Sequence, residues 1–296
     1  MSDATPGAPT PQPAAANRQG ALFLFADMSL MVLVTATVKV LGGTLPAIQI
    51  VFLRAVVGLL VVLPLVWRYR AEVFDTRRLR DHLGRVLCNG LSLSCTYVAV
   101  TALPLAVVTA VSFTRPLVTL GFAAVLLAER APAIRWAASL VCFGGVLLMT
   151  NPGAVPWDMG LAAACGAVLF GSLSVIQTRR LRGENMVLMM LLYTFGLTLL
   201  TAVPAAVLWV TPRLADVPAL VLIGLLSQVA QVCFLRAHNL AEIRVLAPLG
   251  YLAIVLSMTM DYAAFGLVPA PVALLGAAII MVSAFGAQVL DRTRAP

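Results

Sequence analysis

Charge is scarce in this chain. Asp, Glu, Lys and Arg make up 11% of its 296 residues, against 61% hydrophobic residues and a mean hydropathy of +0.99, whereas soluble domains carry about 25% charged residues. That balance excludes an ordinary water-soluble fold, which would expose too much apolar surface. Groups that bind metals are equally sparse. The two histidines (His82, His238) fall between apolar runs, and the five cysteines (Cys88, Cys95, Cys142, Cys165, Cys233) lie inside or at the edges of such runs without a C-x-x-C pair. The cysteines read as small packing residues, and neither a metal nor a cofactor is expected. No G-x-x-x-x-G-K-[ST] is present, which argues against direct drive by ATP. No H-E-x-x-H, Asp-rich motif or Ser/His pair lies at membrane depth, so the chain does not read as a polytopic membrane enzyme. The longest internal loop is about 16 residues, too short for the soluble domain of a scaffold or sensor. A net charge of +8 does not imply a nucleic-acid partner, because the arginines sit in short clusters between apolar runs and not on one basic face.

What the chain has is apolar length. Runs of about 18 or more residues recur throughout, each able to cross a hydrocarbon core of about 30 Å as a helix. Backbone groups in lipid must be satisfied within the segment, and uniformly apolar runs favour helices over the alternating strands of a barrel. The expected fold is an all-α membrane protein with helices near 20–42, 46–67, 84–103, 105–128, 134–150, 158–178, 186–210, 217–236, 244–265 and 270–290. Residues 1–19, rich in Pro and Ala, read as a disordered tail. The first apolar run is too long for a signal-peptide core and is expected to be retained. The organisation that follows is a tail over 1–19, a first half over 20–150, a second half over 151–290 and a short tail over 291–296.

Basic residues near helix ends stay on the cytoplasmic side. With the N-terminus inside, sixteen arginines fall in cytoplasmic segments and only Arg213 in the opposite loops, while Lys39, Arg54 and Arg115 lie within helices. The split predicts a multi-pass protein of the cytoplasmic membrane with both termini inside. Five helices per half is an odd number, so two halves of one fold must enter the membrane upside down relative to each other. Helices 3 to 5 and 8 to 10 share a pattern at a spacing of about 137 residues. Inverted repeats give transporters two related conformations with the site at the repeat interface.

Several motifs point the same way. In the first half these are Pro46 to Arg54 (PAIQIVFLR), Tyr97 to Pro104 (Y-x-A-x-x-x-L-P), Pro116-Leu117, Leu126 to Arg130 (L-L-x-E-R) and Gly144 to Leu148 (G-G-V-L-L). In the second half they are Leu246 to Tyr251 (L-A-P-L-x-Y), Phe265-Gly266 and Gly276. With these the chain resembles the drug/metabolite transporter superfamily, specifically its ten-helix EamA-type members. It departs at Leu267, where the family usually has Glu after F-G, and at Arg115, directly before Pro116. The resemblance implies secondary transport, often efflux, of amino acids, nucleotide-like metabolites, vitamins or drugs.

Ionisable groups inside spanning helices cost about 2.5–3.5 kcal/mol each on insertion scales, so each needs a reason. Arg115 lies about 15 Å into the fourth helix, close to the midplane. Pro116 would kink the helix there and expose carbonyls, and a guanidinium could hold a carboxylate or phosphate through two parallel hydrogen bonds. Pairing with Asp27 or Asp261 is the competing reading. Arg54 either contacts substrate or ties its helix to a neighbour, and Lys39 is placed to snorkel to the interface. Asp27 could bind a coupling proton or neutralise Arg115, and Asp261 reads as a rim or gating residue. Tyr97, Phe113, Thr114, Tyr193, Gln228, Gln231 and Tyr251 are candidates to line a pocket. Glu129, beside Arg130, reads as a helix-end ion pair, and Gly144, Gly145, Gly166, Gly171 and Gly276 as close-packing positions.

The function expected is a secondary transporter, not an enzyme, working by alternating access on a small carboxylate, anionic or zwitterionic metabolite, with efflux as the net direction that the family resemblance implies. The alternative is an uptake carrier for a vitamin or nucleotide-like metabolite. The expected partners are the small-molecule substrate, the lipid bilayer and, on one reading, a coupling proton. The expected state is a monomer or weak homodimer.

Overall fold

Helices account for the regular structure of the computed structural model, which describes residues 14–68, 78–126, 133–150, 158–181, 186–241, 246 and 249–294. Eleven are described: α1 (Ala14–Leu41), α2 (Ala47–Arg68), α3 (Leu79–Ala102), α4 (Leu105–Ser112), α5 (Arg115–Leu126), α6 (Ala133–Thr150), α7 (Met159–Arg180), α8 (Met186–Val207), α9 (Val217–Leu240), α10 (Leu252–Phe265) and α11 (Pro271–Arg294). Taking α4 and α5 as one span, seven segments are long and apolar enough to cross a membrane and three shorter apolar helices complete a set of ten. Residues 1–13, Arg70, Arg77, Glu129, Arg130, Arg182 and Arg244, on which parts of the tail, loop-charge and helix-end readings rest, lie outside the described residues.

These helices expose apolar side chains outward, as a lipid-facing surface requires. Leu60, Val203 and Val282 are 64%, 71% and 71% exposed, while Val34, Ile50, Tyr97, Ile223, Ile254 and Ile280 lie in the core.

Four boundaries differ from the sequence reading. Helix α1 begins at Ala14, so residues 14–19 are helical and not tail; the run Ala14-Ala15-Ala16 is strongly helix-forming, and Gly20 packs against Ala241 of the α9 end. Helix α3 begins at Leu79 and buries His82 in its polar first turn. The fourth span is interrupted at Phe113-Thr114. Helix α11 continues to Arg294, through most of the expected C-terminal tail.

The two halves repeat at a spacing of 138 residues. Helices α3 and α9 are each 24 residues long, and both of their boundaries are related by that offset. Their C-terminal caps match in conformation, Leu103 at φ −117°, ψ 161° and Ala241 at φ −123°, ψ 148°. The starts of α6 and α11 obey the same offset. Packing obeys it too: α3 packs on α7 as α1 packs on α9, and α2 on α9 as α8 on α3, while α2 with α8, α4 with α10 and α6 with α11 pair with their own counterparts. Along the α4–α10 crossing, Asp261 meets Leu105 and Ala106, Ser257 meets Thr109, and Tyr251 stacks on Phe113. One number falls as the other rises, so these related helices run antiparallel, the signature of an inverted repeat.

One clasp at the arginine-poor end was not legible in the sequence. Gln49 of α2 donates from Nε2 to the Val210 carbonyl at 2.7 Å and accepts the Val210 amide at 3.0 Å. This ties the α8–α9 connection to the first half, with Trp209 edge-on to Phe52.

Candidate functional site

Pro116 has no amide hydrogen to close onto the Ser112 carbonyl one turn earlier, and its ring crowds that carbonyl, so α4 cannot run on into α5. The chain instead makes a tight turn, with the Phe113 and Thr114 amides donating to Ala110 and Val111 and the Thr114 hydroxyl donating to Val111 at 2.7 Å. Arg115 thereby becomes the first residue of α5. A cation at a helix N-terminus opposes the positive end of the helix dipole, and the helix offers no acidic residue in its first turn.

Nothing compensates that charge among the described residues. The Arg115 guanidinium lies against Gly171 of α7, next to the Ser92 hydroxyl of α3, and its buried Nε has no hydrogen-bond partner. The ion pairs weighed for it with Asp27 and Asp261 do not form. Asp261 is committed to backbone amides elsewhere, and Asp27 is half-buried on the side of α1 facing Cys233, without a described partner. Gly171 is therefore a close-packing position for a guanidinium and not for a second helix backbone.

One helical turn along α3 from Ser92 is Thr96, whose hydroxyl donates to the Ser92 carbonyl at 2.8 Å. Thr96 lines a cavity of about 240 Å³ formed by the first half, with Thr35, Val100, Thr109, Ser112 and Phe113, and touched by Ala253 of the second. At one edge the Phe113 ring stacks on Tyr251 at 5.0 Å between centroids. Phe113 lines this space and carries Tyr251 against its ring, while Arg115, two residues on, turns its guanidinium to Gly171 and Ser92 and is not among the residues that line it; Thr114 is buried between them.

A second polar group forms on another face of α3. Arg54 donates to the Tyr97 hydroxyl at 3.1 Å and lies over its ring. Tyr97 is fully buried, with Ser227 at its hydroxyl and Tyr193 within electrostatic range of Arg54. Gln228 packs over Gly58, one turn from Arg54 on α2. Ser92 and Tyr97 are separated by about 7.5 Å along α3 and point roughly 140° apart. The seven candidate binding residues therefore divide: Arg54, Tyr97 and Gln228 tie α2, α3 and α9 together, and Arg115, Thr114 and Tyr251 cluster at the break. Gln231 is half-buried on α9 without a described partner.

Lys39 and Asp261 do something the sequence did not reveal. Pro104 caps α4 without a side-chain acceptor, leaving the first α4 amides unsatisfied in a medium without water. Asp261, 3% exposed, accepts the Leu105 amide at 3.0 Å and the Ala106 amide at 2.7 Å. Lys39 does not snorkel; its Nζ donates to the Leu103 carbonyl at the end of α3 at 2.6 Å and sits 5.1 Å from the Phe265 ring. Anion at the helix start and cation at the helix end is the arrangement the two dipoles favour. Ser92, Thr96, Thr109, Gly171 and Ser257 also belong to these sites, and only Gly171 had a sequence signal.

Residues 18–151 match the EamA-like transporter family. Together with the relatives it resembles, this match supports an assignment to the drug/metabolite transporter superfamily. The transporter is 29% identical over 245 residues to an S-adenosylmethionine uptake transporter of Rickettsia bellii, covering 82% of this chain and 84% of that one. It is 25% identical over 264 residues to a pseudopaline exporter of Pseudomonas aeruginosa, covering 88% and 91%. It is 28% identical over 228 residues to a riboflavin transporter of Rhizobium johnstonii, covering 74% and 73%. A crystal structure with 18% identity shares the fold, with a TM-score of 0.68 over 95% of this transporter and 99% of that chain. The transporter is an integral membrane protein that carries a small molecule.

Proposed function

We propose that the chain is a secondary transporter of an amino-acid-sized carboxylate or zwitterion, working by alternating access in the cytoplasmic membrane with both termini inside and efflux as the net direction. The observation that carries this reading is Arg115: a cation at a helix N-terminus, against Gly171 of the other half, with a buried Nε and no anion paired with it among the described residues. A carboxylate on the cargo would supply the missing charge through two parallel hydrogen bonds. The cavity of about 240 Å³ falls below the roughly 300–1,000 Å³ of sites for drug-sized ligands, which favours small cargo. S-adenosylmethionine, the cargo named for the Rickettsia bellii relative, ends in an amino-acid head group that such a guanidinium would suit, although its adenosine makes it larger than the cargo this cavity favours.

Counterflow in proteoliposomes tests the proposal. Labelled amino acids, S-adenosylmethionine and riboflavin would be screened against unlabelled competitors. The expected result is that a carboxylated compound is exchanged and that its methyl ester competes poorly. An ester that competes as well as the free acid would refute the role given to Arg115.

Gly171→Ala probes the same contact from the other side. An added Cβ would stand 2.8 Å from the guanidinium carbon and 2.9 Å from the Ser92 oxygen, so Arg115 must swing away. A hydrogen bond to a charged group is worth about 1.5–3 kcal/mol, which makes the expected loss of cargo affinity about tenfold or more, read as the half-saturating concentration in counterflow.

A further inference from the structure

The contact between Asp261 and the start of α4 stands between two cavities. On one side is the space of about 240 Å³, lined by Leu105, Val108 and Thr109. On the other is a space of about 190 Å³, lined by Pro104, Ala106 and Asp261 with Leu267, Val268 and Pro269, towards the arginine-poor end. Adjacent residues of one helical turn thus face different compartments, and the carboxylate that fixes this turn comes from the other half of the molecule.

We propose that Asp261 and Lys39 form a one-sided lock that closes the arginine-poor end of the transport path, and that opening this end requires Asp261 to release the Leu105 and Ala106 amides. The proposal rests on the reading of the chain as an alternating-access transporter. Asp261 reaches from α10 to α4, and Lys39 from α1 to the end of α3, so the two charges hold both sides of the Leu103-Pro104 break. The Thr109–Ser257 hydrogen bond at 2.8 Å lies one turn below. The repeat shows why the lock serves one end only: the 138-residue offset relates Asp261 to Ala123 and Lys39 to Gln177, neither of them charged. These two repeat-related positions therefore supply no ionic clasp to the opposite end.

The expected behaviour is read without any cargo, so a failure to find a substrate would not be confused with a failure of the lock. Ser112→Cys, which lines the inner cavity, would be placed in a background with Cys88, Cys95, Cys142, Cys165 and Cys233 replaced. A membrane-impermeant maleimide would then be applied to right-side-out and inverted vesicles. With Asp261 intact, labelling from the arginine-poor face should be slow. Asp261→Ala should speed it by about tenfold or more and slow labelling from the opposite face, and Asp261→Asn, which keeps one acceptor oxygen, should fall between. Lys39→Met should shift accessibility in the same direction as Asp261→Ala. Labelling from the arginine-poor face that stays unchanged in an Asp261→Ala protein of unaltered melting temperature would overturn the proposal. So would labelling that rises equally from both faces, since that reports a loosened fold and not an opened gate.

Discussion

Arg115→Met should lower transport of a carboxylated cargo by roughly 30-fold or more and leave the melting temperature unchanged or raised. The two halves of this expectation have different origins. Truncating one partner of a buried, hydrogen-bonded charge pair costs about 2–5 kcal/mol, and the lower limit already corresponds to roughly 30-fold. That loss applies only to the loaded carrier. In the empty protein Arg115 has no described anionic partner, so methionine removes a desolvated charge without stranding a counter-charge, and apolar replacements of buried ions are often neutral or stabilising. If Arg115 were instead one member of an internal ion pair, the same substitution would lower the melting temperature. Arg115→Lys should fall between in transport, because an ammonium keeps the charge but not the planar fork that engages both carboxylate oxygens. Cargo counterflow and thermal melting of the same detergent preparation separate the cases.

The second large effect is one of stability. Helices α6 and α11 approach so closely at Gly145 and Gly276 that a Cβ on Gly276 would lie 2.6 Å from the Gly145 carbonyl oxygen and 2.8 Å from the Met149 amide nitrogen. Both are backbone atoms, which cannot swing aside as a side chain would. Gly276→Val should therefore force the helices apart and cost at least the roughly 1–3 kcal/mol typical of overpacking, seen as a lowered melting temperature and loss of the monodisperse peak in size-exclusion chromatography. Gly144→Val, one residue away, has nothing within 4 Å of its added Cβ and should melt like the wild type. The contrast also corrects the sequence reading, which treated Gly144 and Gly145 alike.

The apolar spans were legible because they follow from a local quantity, hydropathy over one segment, and the repeat because a pattern recurs along the chain at a near-constant spacing. The boundaries were less so, since helix-forming but polar stretches such as Ala14 to Gln19 give no hydropathic signal. At the site, Pro116 announced the interruption of the fourth span and Arg115 its unusual charge. What could not be read was partnership across the fold. Asp261 and Leu105 are 156 residues apart, and only the antiparallel crossing of α4 and α10 shows that a proline-capped helix end needs a carboxylate from elsewhere. Lys39 was misplaced for the same reason, because the orphan carbonyl that holds it belongs to α3. Arg54 is a milder case, where tying to a neighbour and contacting substrate were both weighed and the Tyr97 bond satisfies the first.

The stacked pair Phe113 and Tyr251 is separated by the repeat offset itself, so exchanging the roles of the halves carries this contact onto itself while the two ends of the crossing trade places. For the alternating access proposed above, the pair would sit at the fixed point of the rocking motion, a fulcrum common to both conformers. Softening a fulcrum alters how fast a carrier swings without altering which way it prefers to face.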